Sequence, residues 1–226
     1  MQSLSTLPII CAGHTILPRM ETLNLLNFNY CAAWKARFSF PRLRTLVLRD
    51  FELLIDGSME NIHHLDITEY TPRFRNKGKS IKTCWSHPLL QTVPNLVSLT
   101  WSINVSSKRV QPPVVLQFLR FLSLPSCGRY PTHTLHALKY LVTPSLETLD
   151  LDLGLLTSPP DYEVMLKKVL DVICRDGSVQ LRHLTLRCSP KPENCRVISP
   201  HLNHLDTFTI RDTQGRILLD SDSDSD

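Results

Sequence analysis

One short apolar phrase recurs along the chain. Its pattern is Leu-x-x-Leu-x-Leu, in which Ile, Met, Phe or Trp replaces some of the leucines. Eight copies occupy residues 20–25, 43–48, 62–67, 96–101, 119–124, 146–151, 181–186 and 205–210, and a possible fragment lies at 4–9. From one copy to the next the steps are 23, 19, 34, 23, 27, 35 and 24 residues. Most steps fall near the roughly 20–29 residues of a leucine-rich repeat, and the two long steps indicate insertions.

The spacing within the phrase predicts a β-strand. The last two apolar positions are two residues apart, so their side chains lie on one face of a strand, and the first enters from the preceding turn. One such unit is too small to bury its apolar face alone, but parallel neighbours stacked about 4.8 Å apart share an interior. We therefore expect an α/β fold over residues 1–219. It would be an irregular leucine-rich-repeat solenoid with a curved parallel sheet of about eight strands, and with helices and loops on the convex side.

The segments between the phrases carry weaker signals. Helical spacing predicts a helix over 161–175 and shorter helical stretches over 134–141 and 82–92. Proline introduces several phrases, where we expect it to open the strand because it donates no ladder hydrogen bond. These residues are Pro18, Pro41, Pro94, Pro144 and Pro200. A regular leucine-rich repeat also has Asn three residues after its last Leu, and Asn104 is the residue that fits this position well.

The polar positions that alternate with the inward leucines would line the concave face, which is the surface that solenoids use most for binding. Many are Thr or Ser, which suit any exposed strand. Superimposed on them are acidic residues, and then arginines toward the C-terminal end, so a protein segment with the opposite charge order could dock there. A plain solvated strand face is the alternative. The candidate protein-binding residues are Arg49, His64, Asp66, Phe121, Thr148, Asp150, Asp152, His183, Arg187 and Arg211.

Composition narrows the class of protein. A hydrophobic content of 42% with 20% charged residues is typical of a folded chain. The net charge is +4, but Lys and Arg are scattered, so we expect no nucleic-acid partner. Seven cysteines without a disulfide framework favour a reducing compartment, either cytoplasmic or nuclear. No apolar run is long enough to cross a membrane, and the patch at 7–12 is read as part of the fold, with a signal peptide as the alternative.

The sequence predicts a non-enzymatic protein without a cofactor. No CxxC pair occurs, and adjacent His63 and His64 point to opposite faces of a strand, so we predict no metal ligands. Glycine-rich phosphate loops and a GxSxG nucleophile motif are absent from the sequence. Asp150 and Asp152 share a strand face and would suit a cation or acid–base chemistry, although polar residues on an open face are the simpler interpretation. We therefore predict no catalytic residues.

The C-terminal residues 220–226 alternate Asp and Ser. This acidic segment cannot build a core, so we expect a disordered tail. Its serines, each flanked by Asp, resemble acidic-directed kinase sites, and phosphorylation would add roughly −1.5 to −2 charges at each. An inert solubilising end is the alternative.

Two phrases also resemble a known family. FPRLRTLVLRDFEL (40–53) and LVTPSLETLDLDL (141–153) resemble the leucine-rich-repeat region of fungal F-box proteins, particularly the basidiomycete families. The resemblance implies an N-terminal F-box that binds the adaptor of a cullin-type ubiquitin ligase, and repeats that present the substrate. Residues 1–19 are too short for an F-box, so we expect a recognition array that binds the adaptor only if an F-box lies upstream. The alternative is a truncated or vestigial repeat fragment with no specific partner.

Overall fold

The structure, a computed structural model, describes residues 15–16, 19–26, 34–35, 38–39, 41–49, 53–54, 59–68, 86–102, 112–125, 127, 129, 131–153, 159–175, 179, 181–187, 205–212 and 214–220. Its strands are β1 (Thr15–Ile16), β2 (Thr22–Leu26), β3 (Trp34–Lys35), β4 (Phe38–Ser39), β5 (Thr45–Arg49), β6 (Leu53–Leu54), β7 (His64–Thr68), β8 (Ser98–Ser102), β9 (Val114–Val115), β10 (Phe121–Leu124), β11 (Leu141–Val142), β12 (Thr148–Asp152), β13 (His183–Arg187), β14 (Thr207–Arg211) and β15 (Ile217–Asp220). Its helices are α1 (Ser86–Leu90), α2 (Pro131–Leu138) and α3 (Pro159–Ile173).

One large sheet organises the described part of the chain. It has nine strands in the order β15-β14-β13-β12-β10-β8-β7-β5-β2. Eight of them are parallel, and each is the strand predicted from one apolar phrase, so phrases that follow each other in sequence are neighbours in the sheet. The ninth strand, β15, pairs antiparallel with β14 and was not expected from the repeat. The prediction of an α/β fold built on a parallel sheet is confirmed. Three two-stranded pairs, β1–β4, β9–β11 and β3–β6, lie outside this sheet.

The apolar positions of successive phrases align across the sheet. Leu149 is in register with Leu122 on one side and Leu184 on the other, and all three side chains are buried. The first residue of the phrase is buried as well, as Leu146 shows with no exposed surface. A fully buried leucine contributes roughly 1.5–3 kcal/mol relative to an exposed one. The aligned leucines join one continuous core that none of the phrases could form alone.

A repeated backbone contact connects each phrase to the next. The carbonyl oxygen of Arg120 accepts hydrogen bonds from the amides of Glu147 (3.0 Å) and Thr148 (2.8 Å) in the following phrase. The same two-donor contact occurs at seven successive steps, and its acceptors are Glu21, Arg44, His63, Val97, Arg120, Glu147 and Arg182. Because the contact uses backbone atoms, it tolerates the varied side chains at these positions. The steps are therefore equivalent even where the sequence is irregular.

The three introducing prolines that the structure describes lie in turns and not at the start of strands, so for them that prediction was wrong. Pro144 occupies the second position of a turn in which the Leu146 amide donates to the Thr143 carbonyl at 3.2 Å, and Pro94 holds the same position in the turn before Leu96. Proline suits this position because its fixed φ near −65° matches a β-turn. Pro41 also lies in a turn. Two other prolines, Pro18 and Pro200, lie outside the described residues.

Asparagine in the same turns stabilises the stacking. The Asn61 side chain donates to the Pro41 carbonyl at 2.8 Å, and the Asn95 side chain donates to the Glu60 carbonyl at 2.9 Å. Each asparagine thus binds the turn of the preceding phrase. The asparagine signal expected after the strand, at Asn104, lies outside the described residues. The stabilising amide in the described turns precedes the first apolar residue of the phrase.

The helices pack against the apolar interior of the sheet. The helix predicted over 161–175 is α3, which begins two residues earlier and buries Met165, Leu166, Val169 and Ile173 in the common core. Proline at its first positions fits because the first amides of a helix lack intrahelical partners. The predicted stretch 134–141 corresponds to α2, displaced by three residues, and 82–92 contains the shorter α1.

A histidine in α1 is buried without a polar partner. His87 is 3% exposed, its ring meets Tyr140 edge to face at 6.1 Å, and neither ring nitrogen has a hydrogen-bond partner among the described residues. Burial lowers the pKa of His87 below the ordinary 6.5 because the charged ring would lose its hydration.

This burial should make stability depend on pH. The unfolded chain binds a proton at His87 near pH 6.5, whereas the folded chain resists it, so the free energy of unfolding should fall as pH drops below about 6.5. Urea unfolding between pH 7.5 and 5 measures the loss. The His87→Phe variant should lose less stability over this interval than the wild type. Parallel pH curves for the two proteins would contradict the assignment.

Candidate functional site

The side chains that alternate with the inward leucines form the outward face of the sheet. Register places them in three rows that run across the parallel strands. The first row contains Thr22, Thr45, His64, Ser98, Phe121, Thr148, His183 and Thr207. The second contains Asn24, Val47, Asp66, Thr100, Ser123, Asp150, Thr185 and Thr209. The third contains Arg49, Thr68, Ser102, Asp152, Arg187 and Arg211. All ten candidate binding residues lie in these rows.

The C-terminal half of the outward face is built around Asp150. The Arg187 guanidinium contacts Asp150 Oδ2 at 2.5 Å, and the Ser123 hydroxyl donates to the same oxygen at 3.1 Å. Asp150 is in register with Thr185, so the arginine reaches it diagonally from the third row. The Asp150 side chain is only 11% exposed, whereas that of Arg187 is 42% exposed. Arg187 therefore covers a charge-compensated carboxylate and offers the accessible surface of the pair.

A second ion pair lies toward the N-terminal side of the face. Arg49 and Asp66 also meet diagonally between the third and second rows, with 3.9 Å between Arg49 Nη2 and Asp66 Oδ2. Their side chains are 59% and 32% exposed. Burial raises the pKa of Asp66, and the positive charge of Arg49 opposes this shift. The pair is longer and more exposed than Asp150–Arg187, so it constrains the face less.

The remaining candidates differ in exposure. His64 is exposed, Phe121 and Thr148 are half-buried, and His183 Nδ1 lies 2.7 Å from the Thr207 hydroxyl. In the third row, Arg187 is in register with Asp152 on one side and Arg211 on the other. Arg211 donates to the Gly215 carbonyl at 3.3 Å. Arg211 therefore places a positive charge at the C-terminal end of the face, beside the compensated Asp150–Arg187 pair.

Two residues that were not among the binding candidates lie at the face or behind it. Ser123 belongs to the Asp150 cluster through cross-strand register, and Cys127 lies behind the face beside Asp152. Burial, together with the Asp152 charge, raises the pKa of Cys127 to about 12, and a hydrogen bond with Thr134 opposes the rise. The thiol therefore stays protonated at neutral pH and acts as a small core residue rather than a nucleophile.

The Cys127 thiol should resist alkylation in the folded protein. With its pKa at about 12, the thiolate is scarce at pH 8, and the side chain is 1% exposed. Iodoacetamide labelling followed by peptide mass spectrometry should show at least tenfold slower modification of Cys127 under native conditions than in 8 M urea. Equal rates in the two conditions would mean that this thiol is open to solvent.

The described residues hold no group of three or more His, Cys, Asp or Glu that could bind a metal ion. The sequence suggested that Asp150 and Asp152 could act together, but the two carboxylates have different neighbours. The charge of Asp150 is compensated by Arg187, whereas Asp152 lies beside Cys127. In the part of the chain that the structure describes, no helix has the length and apolar character to cross a bilayer. What the geometry offers is a broad polar surface with fixed charges.

Comparison with known proteins identifies no relative. No protein-family model matches the chain, and neither a curated protein nor a solved structure is significantly similar to it. The assignment of function therefore depends on the geometry of the outward face.

Proposed function

We propose that this protein is an irregular leucine-rich-repeat solenoid that binds another protein on the outward face of its sheet and catalyses no reaction. The observation that carries the proposal is the order of the sheet, in which eight phrases form eight parallel neighbours in sequence order. Repeat proteins stack one unit on the next in this manner and present an extended surface. The seven equivalent backbone steps support the same architecture.

The dimensions of the outward face suit a protein segment. Eight strands about 4.8 Å apart span roughly 34 Å from the first to the last. An extended chain advances about 3.3 Å per residue, so a segment of about ten residues could cross all eight strands. The hydroxyl groups that recur in the first and second rows offer hydrogen bonds along the whole path. A small ligand would use only a fraction of this surface.

Charge gives the face a direction. Exposed Arg49 lies on β5 toward the N-terminal side, Asp152 lies on β12, and Arg211 lies on β14 at the C-terminal side. A partner with acidic residues at both ends and a basic residue between them would complement this order. Such complementarity sets the register of binding and speeds association, while side-chain packing supplies most of the affinity.

The resemblance to fungal F-box proteins at 40–53 and 141–153 extends the proposal. In that form, the chain is the substrate-recognition part of a ubiquitin-ligase subunit in the cytoplasm or nucleus. An F-box encoded in frame upstream of residue 1, together with binding of the extended chain to the ligase adaptor, would support this extension. If the adaptor does not bind the extended chain, the ligase role is refuted, but the proposal of a protein-binding face is not affected.

Site-specific photo-crosslinking tests the binding face. Benzoylphenylalanine at Thr185, in the second row, should capture a discrete protein from an extract of cells that express the chain. Excess wild-type protein should compete for the capture, whereas the Arg211→Glu variant should compete at least tenfold less well. The matched control carries the same crosslinker at Lys168, which is exposed on α3.

Two results would contradict the proposal. Capture of the same protein from Lys168 would show that the contact is not specific to the outward face. The second result is that the crosslinker at Thr185 captures no protein whose capture is reduced by excess wild-type chain. That result would favour the alternative, a vestigial fragment without a specific partner.

A further inference from the structure

One outward position on a central strand holds a large apolar side chain. Phe121 lies in the first row on β10, which has four parallel strands on its N-terminal side and three on its C-terminal side. The other residues of this row are Thr, Ser or His. Phe121 is half-buried, and the core beneath it is filled by Leu122 and Leu124 of the same strand. The ring therefore keeps accessible surface that the core does not require.

The neighbours of Phe121 on the outward face are small. Ser98 and Thr148 flank it in register on β8 and β12, and Ser123 is the next outward residue on the same strand. A phenyl ring extends further from the sheet than any of these side chains, so it stands above them. Aromatic residues near the centre of a polar surface often anchor protein interfaces, where they pack with aromatic or aliphatic side chains.

Arg211 provides a second fixed feature, at the C-terminal end of the face. Its Nη1 donates to the carbonyl oxygen of Gly215, which carries no net charge. By contrast, Arg187 in the same row is compensated by Asp150. No carboxylate among the described residues forms an ion pair with Arg211. Its positive charge is therefore available to an acidic side chain of a partner.

Register fixes the separation between Phe121 and Arg211. Three strand steps lead from β10 to β14, and four residues along the strand lead from the first row to the third. With about 4.8 Å per step and about 3.3 Å per residue, these displacements combine to about 20 Å, which an extended segment covers in about six residues. The line between the two side chains crosses Thr185 and the compensated Asp150–Arg187 pair.

We propose that the outward face recognises an extended segment of a partner protein that carries an aromatic or aliphatic residue and, about six residues away, an acidic residue. The apolar side chain packs on the Phe121 ring, and the carboxylate pairs with Arg211. This inference rests on the proposed protein-binding function and adds the chemistry of the partner. The apolar contact supplies most of the affinity, while the charge sets the orientation of the segment.

Selection from a peptide library tests the pairing of these two features. The probe is a phage-displayed library of random dodecapeptides, selected on the immobilised full chain. Enriched peptides should combine an aromatic residue or Leu with Asp or Glu about six positions away, in either order along the peptide. The most enriched peptide, made with a fluorescent label, then gives an affinity by fluorescence anisotropy.

Two variants separate the two halves of the motif. Phe121→Thr introduces the residue that Thr148 provides in the same row, and it should remove the apolar preference but keep the acidic one. Arg211→Gln keeps a donor for the Gly215 carbonyl and should remove the acidic preference alone. Each change should weaken binding of the labelled peptide about tenfold. The control Thr22→Ala, at the far end of the first row, should change neither preference, and circular dichroism checks that all three variants are folded.

Three outcomes would overturn the proposal. A motif that survives Phe121→Thr would show that the ring is not the anchor, and an acidic preference that survives Arg211→Gln would place the charge contact elsewhere. The third outcome is that the wild-type chain enriches no peptide, which excludes recognition of a short segment. Photo-crosslinking at Thr185 then separates the two levels. Specific capture there would leave the protein-binding function standing without this motif, whereas no capture would remove both.

Discussion

Replacing Trp101 by alanine should lower the free energy of unfolding by about 3–5 kcal/mol, the range for removing a buried aromatic side chain. Trp101 has no exposed surface and stands at the last apolar position of its phrase, on a central strand of the sheet. The other phrases have Leu or Ile at this position. Its removal would leave a large cavity in the core beneath β8. Urea unfolding followed by circular dichroism measures the loss.

The adjacent residue provides the matched control. Thr100 lies on the same strand but on the outward face and is half-buried, so Thr100→Ala should change the free energy of unfolding by less than about 0.5 kcal/mol. Similar losses for the two variants would contradict the assignment of inward and outward positions, because a shift of one residue in a strand exchanges its faces.

Removing the charge of Arg187 should have the second large effect. Arg187→Met leaves the Asp150 carboxylate, which is 11% exposed, without its cation. Removing one partner of a buried ion pair lowers the free energy of unfolding by about 3–5 kcal/mol. Since the Arg187 side chain is 42% exposed, we expect a loss of about 2–4 kcal/mol in the free energy of unfolding.

The double variant separates the ion pair from packing. Asp150→Asn with Arg187→Met removes both charges, so most of the lost stability should return. The exposed pair supplies a control, because Arg49→Met should cost less than about 1 kcal/mol. If Arg187→Met and Arg49→Met cost the same, the Asp150 cluster would be an ordinary surface contact.

The strands of the repeat could be predicted because their signal is local. Alternation over five residues, repeated eight times, predicts strands at the positions where β5, β7 and β12 occur. Residue type at the inward positions also predicts the shared core, since each phrase leaves an apolar face that requires a neighbour. The helix at 159–173 was predicted to within two residues at each end because it has clear helical spacing.

The contacts between strands could not be predicted in the same way. Asp150 and Arg187 are 37 residues apart, and their diagonal approach depends on the register of β12 with β13. Both residues were candidates for binding a partner. Burial of the Asp150 side chain was not expected, because the polar residues at the outward positions indicated a face exposed to solvent. The role of proline was misassigned because its lack of an amide hydrogen fits a turn as well as the start of a strand.

The strand β15 illustrates a different limit. Ile217 and Leu218 lack the repeat pattern, and their pairing with β14 reverses the direction of the chain. A short apolar run before an acidic segment has no periodicity from which to predict a strand. Its place at the end of the sheet depends on the exposed edge of β14, which exists only once the other strands are assembled.

The most direct test of this account measures distances along the first row in solution. Nitroxide labels attached through an unnatural ketone residue at Thr45, Thr148 and Thr207 leave the seven cysteines unmodified. Four strand steps separate Thr45 from Thr148 and six separate it from Thr207, which gives backbone distances of about 19 Å and about 29 Å. Electron–electron double resonance should therefore find the Thr45–Thr207 distance longer by about 10 Å. An equal or shorter Thr45–Thr207 distance would show that the strands do not follow chain order and would contradict the repeat architecture.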